Sequence, residues 1–249
     1  MNSGEQKKWL EWVLVSSIPL KRLGTEQLPI GIASGCLVNY RKRRFLLTVS
    51  HAVELGLSDW VIQLGDAGEL GTEIYQPNLF IYPRQIRRST GDLINVDFTF
   101  AEVSTSVEPV FQHLTPRGSI SEKKLRHIFN LADISDPDVN ELYAFSGEIN
   151  PELHGTHALF TQPTVYPGLK YVGTDGLSHQ FRLPVPHPGH SYFKGCSGAP
   201  IVDSRGKLVA LVTSGDEERN MIYGMTLSNF KSTLDFYCDN IVPSQPMNK

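Results

Sequence analysis

Residues 194–202 read Lys-Gly-Cys-Ser-Gly-Ala-Pro-Ile-Val. Gly195 and Gly198 bracket Ser197, and an apolar run follows at once. A small hydroxyl is thereby held on a tight, glycine-permitted turn at the entry to a packed strand. This is how a chain presents a nucleophile. A serine hydroxyl attacks a carbonyl only if a histidine takes its proton and an acid orients that histidine. The reading of the whole chain turns on finding those two partners in a usable order.

Outward from this stretch the pattern is β. Pro200 to Val202 and Leu208 to Thr213 read as a hairpin through Asp203-Ser204-Arg205-Gly206, and Ile222 to Leu227 continues the sheet. Leu227, Phe230, Leu234 and Tyr237 at helical spacing predict a closing C-terminal helix. Upstream, Glu141 to Phe145, His157 to Thr161, Leu169 to Val172 and Gln180 to Val185 are short strands between Gly, Pro and Asp turns. Residues 104–141 change character: Pro109, Pro116 and Pro137 punctuate them, and Ser121-Glu122 ahead of Leu125, Ile128 and Phe129 predicts a short helix in a connecting segment.

Earlier still, Ile32 to Tyr40 and Phe45 to Val49 form a hairpin around Arg41-Lys42-Arg43-Arg44, which reads as a solvated turn. Trp60 to Leu64, Glu73 to Tyr75, Leu79 to Tyr82 and Leu93 to Ala101 follow as strands. Trp9 to Val15 packs as a strand or a short helix, and residues 1–8 are polar and frayed. Many short strands with helix only in the middle and at the end predict an all-β sandwich or barrel architecture. The expected division is a first half over residues 9–110, a connecting segment with a short helix over 111–140, and a second half with the closing helix over 141–240.

The bulk composition narrows the function classes. The 249 residues include 23 Lys and Arg against 26 Asp and Glu, a net charge of −3, which supplies no global field for nucleic acid or an anionic membrane. Three cysteines, Cys36, Cys196 and Cys238, make no disulfide framework and favour a reducing compartment. The N-terminus is a poor signal peptide and no run is long enough to span a bilayer, so the expectation is a soluble, cytoplasmic protein.

All eight histidines precede Ser197, which removes the triad order that ends in histidine. No aspartate precedes His51, so an order beginning with the acid would forfeit the strand-end histidine of Leu46-Leu47-Thr48-Val49-Ser50-His51-Ala52-Val53. Ala199 stands where a G-x-S-x-G elbow needs its last glycine. The order His, Asp, Ser remains, with His51 as base. Asp97 is the orienting acid, because a carboxylate between Val96 and Phe98 is desolvated and needs a partner. Asp92, Asp133, Asp136, Asp138 and Asp175 lie in polar turns and need none.

On these motifs the chain resembles the trypsin/chymotrypsin-like serine peptidases. Leu47-Thr48-Val49-Ser50-His51-Ala52 is similar to the family's histidine motif, Asn95-Val96-Asp97-Phe98-Thr99 to its aspartate motif, and Gly195-Cys196-Ser197-Gly198-Ala199-Pro200 to its serine motif. The spacings, 46 residues from His51 to Asp97 and 100 from Asp97 to Ser197, fit as well. The resemblance spans roughly residues 28–230 and implies two packed six-stranded Greek-key β-barrels, the first carrying His51 and Asp97 and the second Ser197. It further implies a serine endopeptidase that works through an acyl-enzyme, with the N–H groups of Gly195 and Ser197 as oxyanion hole. No metal or organic cofactor is implied. The partners expected are a protein or peptide substrate and, if the enzyme is kept latent, an activating protein.

The chain departs from the family at Cys196, where secreted zymogen-type relatives carry an aspartate that pairs with a new N-terminus. No activation by N-terminal cleavage is therefore expected. Here, and in Tyr223-Gly224-Met225-Thr226-Leu227-Ser228-Asn229, the chain looks more like the bacterial HtrA-type proteases, without room for their PDZ domain. The glycine frame selects Ser197 over Cys196 as nucleophile. By resemblance Ser191, Tyr192, Lys194, Thr213, Ser214, Gly215 and Met221 line the pocket for the residue before the scissile bond. Neutral Ser191 at its base, narrowed by Tyr192 and Met221, predicts a small or medium apolar side chain. The H-x-x-H pairs His154/His157 and His187/His190 lie in Gly/Pro loops and read as surface histidines rather than a zinc site.

Overall fold

Asn2 caps the first helix, α1 (Ser3–Ser16): its side chain accepts the Glu5 N–H, and the Glu5 carboxylate accepts the Asn2 N–H, both at 2.9 Å. This reciprocal pairing satisfies end groups that a helix cannot satisfy internally. The computed structural model describes residues 2–25, 29–53, 59–66, 72–86, 89–112, 123–154 and 158–241. The polar start of the chain, expected to fray, is thus helical. Trp9 and Val13, four residues apart, bury one face of α1, and the Trp9 indole N–H donates to the Asp203 carbonyl at 2.9 Å.

The first half continues through β1 (Ile18–Leu23), β2 (Pro29–Tyr40), β3 (Arg43–Thr48), the single turn α2 (Ser50–Val53), β4 (Trp60–Asp66), β5 (Thr72–Tyr75), the hairpin β6 (Arg84–Ile86) and β7 (Leu93–Asn95), and β8 (Thr99–Val103). Its main sheet has the order β5-β4-β1-β2-β3-β8, with every pair along that path antiparallel. Among the described residues the ladders of this sheet do not close into a ring, so the expected two-barrel arrangement is met in part. Residues 79–82, expected as a strand, contribute one bridge, Ile81 to Phe100, across the β8 edge. The expected strand from Leu93 to Ala101 is interrupted between β7 and β8, and Asp97 sits in the gap.

Val110 to Asp133 departs further from expectation. β9 (Val110–Phe111) pairs with β10 (Lys124–Leu125), and β11 (Ile128–Asn130) runs parallel to β2 before a 3-10 turn at Leu131–Asp133. Ser121 and Glu122 lie outside the described residues. Where the predicted helix is described, the ladder to β2 wins: it seats Phe129 fully buried against that strand, a tertiary gain that a short isolated helix cannot match.

The second half is the closed six-stranded barrel. Its strands are β12 (Leu142–His154), β13 (Ala158–Asp175), β14 (Ser178–Arg182), β15 (Pro200–Asp203), β16 (Leu208–Asp216) and β17 (Met221–Thr226), in the ring order β12-β13-β14-β17-β16-β15. β13 joins two segments expected as separate strands, and β14 stops at Arg182, just before Pro184 and Pro186. A 3-10 turn at Ser228–Phe230 leads into the closing helix α3 (Lys231–Asn240). Among the described residues no helix is long and apolar enough to cross a membrane.

α3 returns to the first half. Tyr237 packs edge-on against Phe45 and Phe100, with ring centroids 5.9 and 5.3 Å away, and Leu234 is fully buried. The basic hairpin turn, expected to be solvated, is instead the other side of this contact. Arg41 pairs with Asp235 at 3.0 Å and Asp239 at 2.5 Å, Arg43 with Glu102 and the Ile241 carbonyl, and Arg44 donates to Asn39 at 3.0 Å. Arg41 and Lys42 both have positive φ, 47° and 64°, the turn geometry that suits a two-residue hairpin but is strained for side-chain-bearing residues. One apolar cluster crosses the molecule, joining Phe45, Phe98 and Phe100 of the first half to Leu208, Leu211 and Met225 of the second.

Candidate active site

His51 lies in the one-turn helix α2, directly after β3. Its position is fixed from the first half alone. Val96 and Phe98 are buried, and the chain bends between them at Asp97, whose carboxylate turns to His51 rather than into the core. The Asp97 carboxylate lies 2.9 and 2.8 Å from His51 Nδ1 and accepts the His51 backbone N–H and the Ser50 hydroxyl, each at 3.0 Å. One carboxylate therefore anchors both the ring and the backbone of the histidine.

Ser197 comes from the second half. Its Oγ is 3.0 Å from His51 Nε2, so His51, Asp97 and Ser197 converge although 146 residues separate the histidine from the serine. Two consecutive turns set the serine in place. In the first, Lys194 (φ −59°, ψ 121°) and Gly195 (φ 100°) form a type II turn closed by the Cys196 N–H to the Phe193 carbonyl at 2.9 Å. That turn type flips the Lys194–Gly195 peptide relative to type I and needs a positive φ at Gly195. In the second, the Ala199 N–H returns to the Cys196 carbonyl at 2.9 Å with Gly198 at φ 85°. A Cβ on Gly198 would collide with the Ser34 carbonyl oxygen and the Thr48 hydroxyl. Among the described residues, the Gly195 and Ser197 N–H groups donate to no other backbone group.

The turns are stitched to the first half. The Ser34 N–H donates to the Ser197 carbonyl at 2.8 Å, the Ser34 hydroxyl to the Gly195 carbonyl at 2.7 Å, and the Thr48 hydroxyl to the Ser34 carbonyl at 2.7 Å. Cys196 points away from the cleft and is 1% exposed. Any Cβ at Gly147 would fall 2.5 Å from its Sγ, and burial pushes its thiol pKa up to about 12. A thiol so held stays protonated and has no base beside it.

The electrostatics suit proton transfer from Ser197. The hydrogen bond to Asp97 raises the His51 pKa above its usual 6.5, more than burial lowers it. Burial works to raise Asp97, but the hydrogen bonds from the His51 ring, its N–H and Ser50 outweigh it, and the carboxyl falls below 3.8. An imidazole that holds its Nδ1 proton on Asp97 keeps Nε2 free to accept the Ser197 proton.

A cleft of about 470 Å³ opens beside this group, lined by His51, Asp97, Leu177, Ser178, Thr213, Ser214 and Met225. Thr213 and Ser214 were expected there. Leu177 and Ser178, at the turn between β13 and β14, and Met225 were not, since their approach depends on barrel closure and leaves no local trace in sequence. Ser50, the second hydroxyl on Asp97, also escaped notice. Of the other expected pocket residues, Ser191, Tyr192 and Lys194 are exposed and Met221 is buried, and none of the four lines this cleft. Gly215 is backed instead by the ring of His187, whose Nε2 would lie 2.5 Å from a Cβ at 215. His187 is 8% exposed, which corrects its reading as a surface residue; His190 is exposed, with ring centroids 5.6 Å apart. His157 lies outside the described residues.

No protein-family model and no curated protein sequence matches the chain. Solved structures do. The serine endoprotease of Yersinia pestis superposes with a TM-score of 0.55 at 12% identity, over 96% of this chain and 68% of that one. A mutant of the tobacco etch virus protease superposes with a TM-score of 0.50 at 12% identity, over 90% of this chain and 78% of that one. With its closed antiparallel barrel, its partner sheet and its C-terminal helix, this chain has the fold of the trypsin-like serine proteases.

Proposed function

We propose that the protein is a serine endopeptidase in which Ser197 is the nucleophile, His51 the general base and Asp97 the group that orients and stabilises the imidazole. The observation that carries this reading is the 3.0 Å approach of Ser197 Oγ to His51 Nε2 while Asp97 occupies Nδ1. The peptide carbonyl carbon bonds to Ser197 Oγ as His51 takes the proton, the oxygen becomes an oxyanion, and the N–H groups of Gly195 and Ser197 receive it. His51⁺ then protonates the departing amine, and water, activated by the same imidazole, releases the acyl group.

The substrate backbone binds as an added strand. β15 pairs with β16 only up to Leu211, so beyond Val212 one edge of β16 is free of β15 at Thr213 to Gly215, beside the cleft. The order of the oxyanion turn comes from the Ser34 hydrogen bonds and from Cys196 packed on Gly147, in place of an ion pair with a new N-terminus.

The test is labelling of the full-length protein with a fluorophosphonate probe. Wild type and Cys196→Ala label, whereas Ser197→Ala and His51→Ala do not. A folded wild type that fails to label refutes the reading and leaves a silent peptide-binding module. Labelling that survives Ser197→Ala and vanishes in Cys196→Ala would assign the chemistry to the thiol.

A further inference from the structure

Arg126 and Glu148 form an ion pair that the proposed chemistry does not use. The Arg126 side chain is 5% exposed: Nη1 donates to the Ser17 carbonyl, Nε to the Val110 carbonyl at 3.4 Å and Nη2 to Glu148 Oε1 at 3.5 Å. Its guanidinium carbon also lies 5.2 Å from the centre of the Phe111 ring. Glu148 Oε2 accepts the Thr161 hydroxyl at 2.5 Å. Glu148 faces a second cation as well, Lys21, whose pKa burial lowers and Glu148 raises. Removing the carboxylate would leave two partly desolvated cations without their counter-charge.

The strands show what the pair holds. β15 pairs with β12 only at Tyr143 and Ala144, and β14 pairs with β13 only from Lys170 onward. Among the described residues, the stretch of β12 and β13 that carries Glu148 and Thr161 is thus a two-stranded ribbon with no ladder on either outer edge. Such a ribbon is marginally stable by itself, so side chains must fix where it lies. Arg126 reaches it from the connecting segment and, through Ser17 and Val110, fastens it to the first half.

The ribbon in turn backs the two residues ahead of Ser197. A Cβ on Gly195 would collide with the Glu148 carbonyl oxygen and the Ile32 side chain, and one on Gly147 would fall 2.5 Å from Cys196 Sγ. Gly195 supplies one of the two N–H groups assigned to the oxyanion, so the carbonyl of Glu148 sets where that donor sits.

We propose that Glu148 is a positioning residue for the oxyanion turn: its ion pair with Arg126 clamps the β12–β13 ribbon to the first half and so holds Gly195 and Cys196 in place. The inference rests on the endopeptidase reading above and deepens it.

The experiment has two arms, read on full-length wild type, Glu148→Gln and Thr161→Val, with thermal melts to show that each is folded. The first arm needs no activity. Each protein is exposed to iodoacetamide, and alkylation is followed at each cysteine by peptide mass spectrometry. Cys196, 1% exposed, reacts at least about tenfold faster in Glu148→Gln than in wild type as the ribbon lifts from it. Cys36, fully buried in the first half, stays protected and shows that the opening is local. Thr161→Val, which removes one donor and no charge, moves Cys196 in the same direction by less, and it decides alone if Glu148→Gln does not fold. Cys196 that stays protected in the folded variants overturns the proposal, as does a rise at Cys196 matched at Cys36.

The second arm is the rate of fluorophosphonate labelling against pH. In Glu148→Gln the rate falls at least about tenfold because an oxyanion donor is displaced, while the pH midpoint, set by His51 and Asp97, stays where it is. An unchanged rate, or a midpoint that shifts along with the rate, overturns the proposal. If wild type never labels, the endopeptidase reading falls and the Cys196 arm decides whether the clamp exists.

Discussion

Replacing Asp97 with asparagine exchanges one oxygen for an NH₂ group at constant shape, and the hydrogen bonds dictate which oxygen is lost. Oδ1 receives the His51 N–H and the Ser50 hydroxyl at 3.0 Å each, so the amide oxygen has to stay there. The NH₂ then takes the place of Oδ2, 2.8 Å from His51 Nδ1. The retained oxygen, 2.9 Å from Nδ1, already takes two donors, and the nearer NH₂ cannot face an N–H, so Nδ1 becomes an acceptor and the imidazole proton moves to Nε2. That N–H now points at Ser197 Oγ across 3.0 Å, and the serine proton has no acceptor. A triad held in the wrong tautomer loses about four powers of ten in rate, or about 5.4 kcal/mol of transition-state stabilisation at 1.36 kcal/mol per tenfold. The assay is the time course of fluorophosphonate labelling of wild type and Asp97→Asn, with thermal melts to show that both are folded. Labelling of Asp97→Asn within tenfold of wild type would refute the assignment of Asp97.

Other outcomes follow from the same geometry. The labelling rate of wild type falls as pH drops through the raised pKa of His51, with its midpoint above 6.5, and the midpoint moves down in Asp97→Asn; a midpoint unmoved by that change would separate the two residues. In stability the pair acts in opposite senses. The His51 contribution is full below pH about 6.5 and is lost as pH rises through its folded pKa, whereas that of Asp97 is present above pH about 3.8 and is lost as pH falls through its folded pKa, which urea midpoints against pH would read. Gly147→Ala places a methyl 2.5 Å from Cys196 Sγ and 3.2 Å from its Cα, so it costs about 1–3 kcal/mol and slows labelling by shifting the oxyanion turn; unchanged labelling would show that the turn does not lean on this contact. Lys42→Gly relieves a left-handed residue at φ 64° and stabilises the fold by about 1 kcal/mol, read as a higher urea midpoint.

What the sequence disclosed is what a few adjacent residues can carry. Ser197 between two glycines, His51 after an apolar strand and Asp97 between Val96 and Phe98 each announce themselves within their own motif, and their order along the chain selects one arrangement. Barrel alternation was equally local. The misreadings share the opposite property. Leu125, Ile128 and Phe129 have helical spacing, yet Phe129 is buried through a ladder to β2 some ninety residues upstream. Arg41 looks solvated until α3 supplies Asp235 and Asp239, and Arg43 until β8 supplies Glu102. His187 looks exposed between Pro186 and Pro188 until Gly215 and Phe193 close around it. In each case the deciding partner is remote in the chain, and only the folded molecule brings it near.

The two terminal helices are crossed over the molecule. α1 fastens to Asp203 in the second half, while α3 supplies the anions and aromatics that close over the first. A ribosome releasing this chain therefore finishes neither half before the other has emerged, and most of its stabilising contacts join distant segments. His51 is translated 146 residues ahead of the Ser197 hydroxyl it faces. The proposed chemistry therefore draws on both halves at once, and a chain cut short of Ser197 carries the histidine and its carboxylate with no nucleophile beside them.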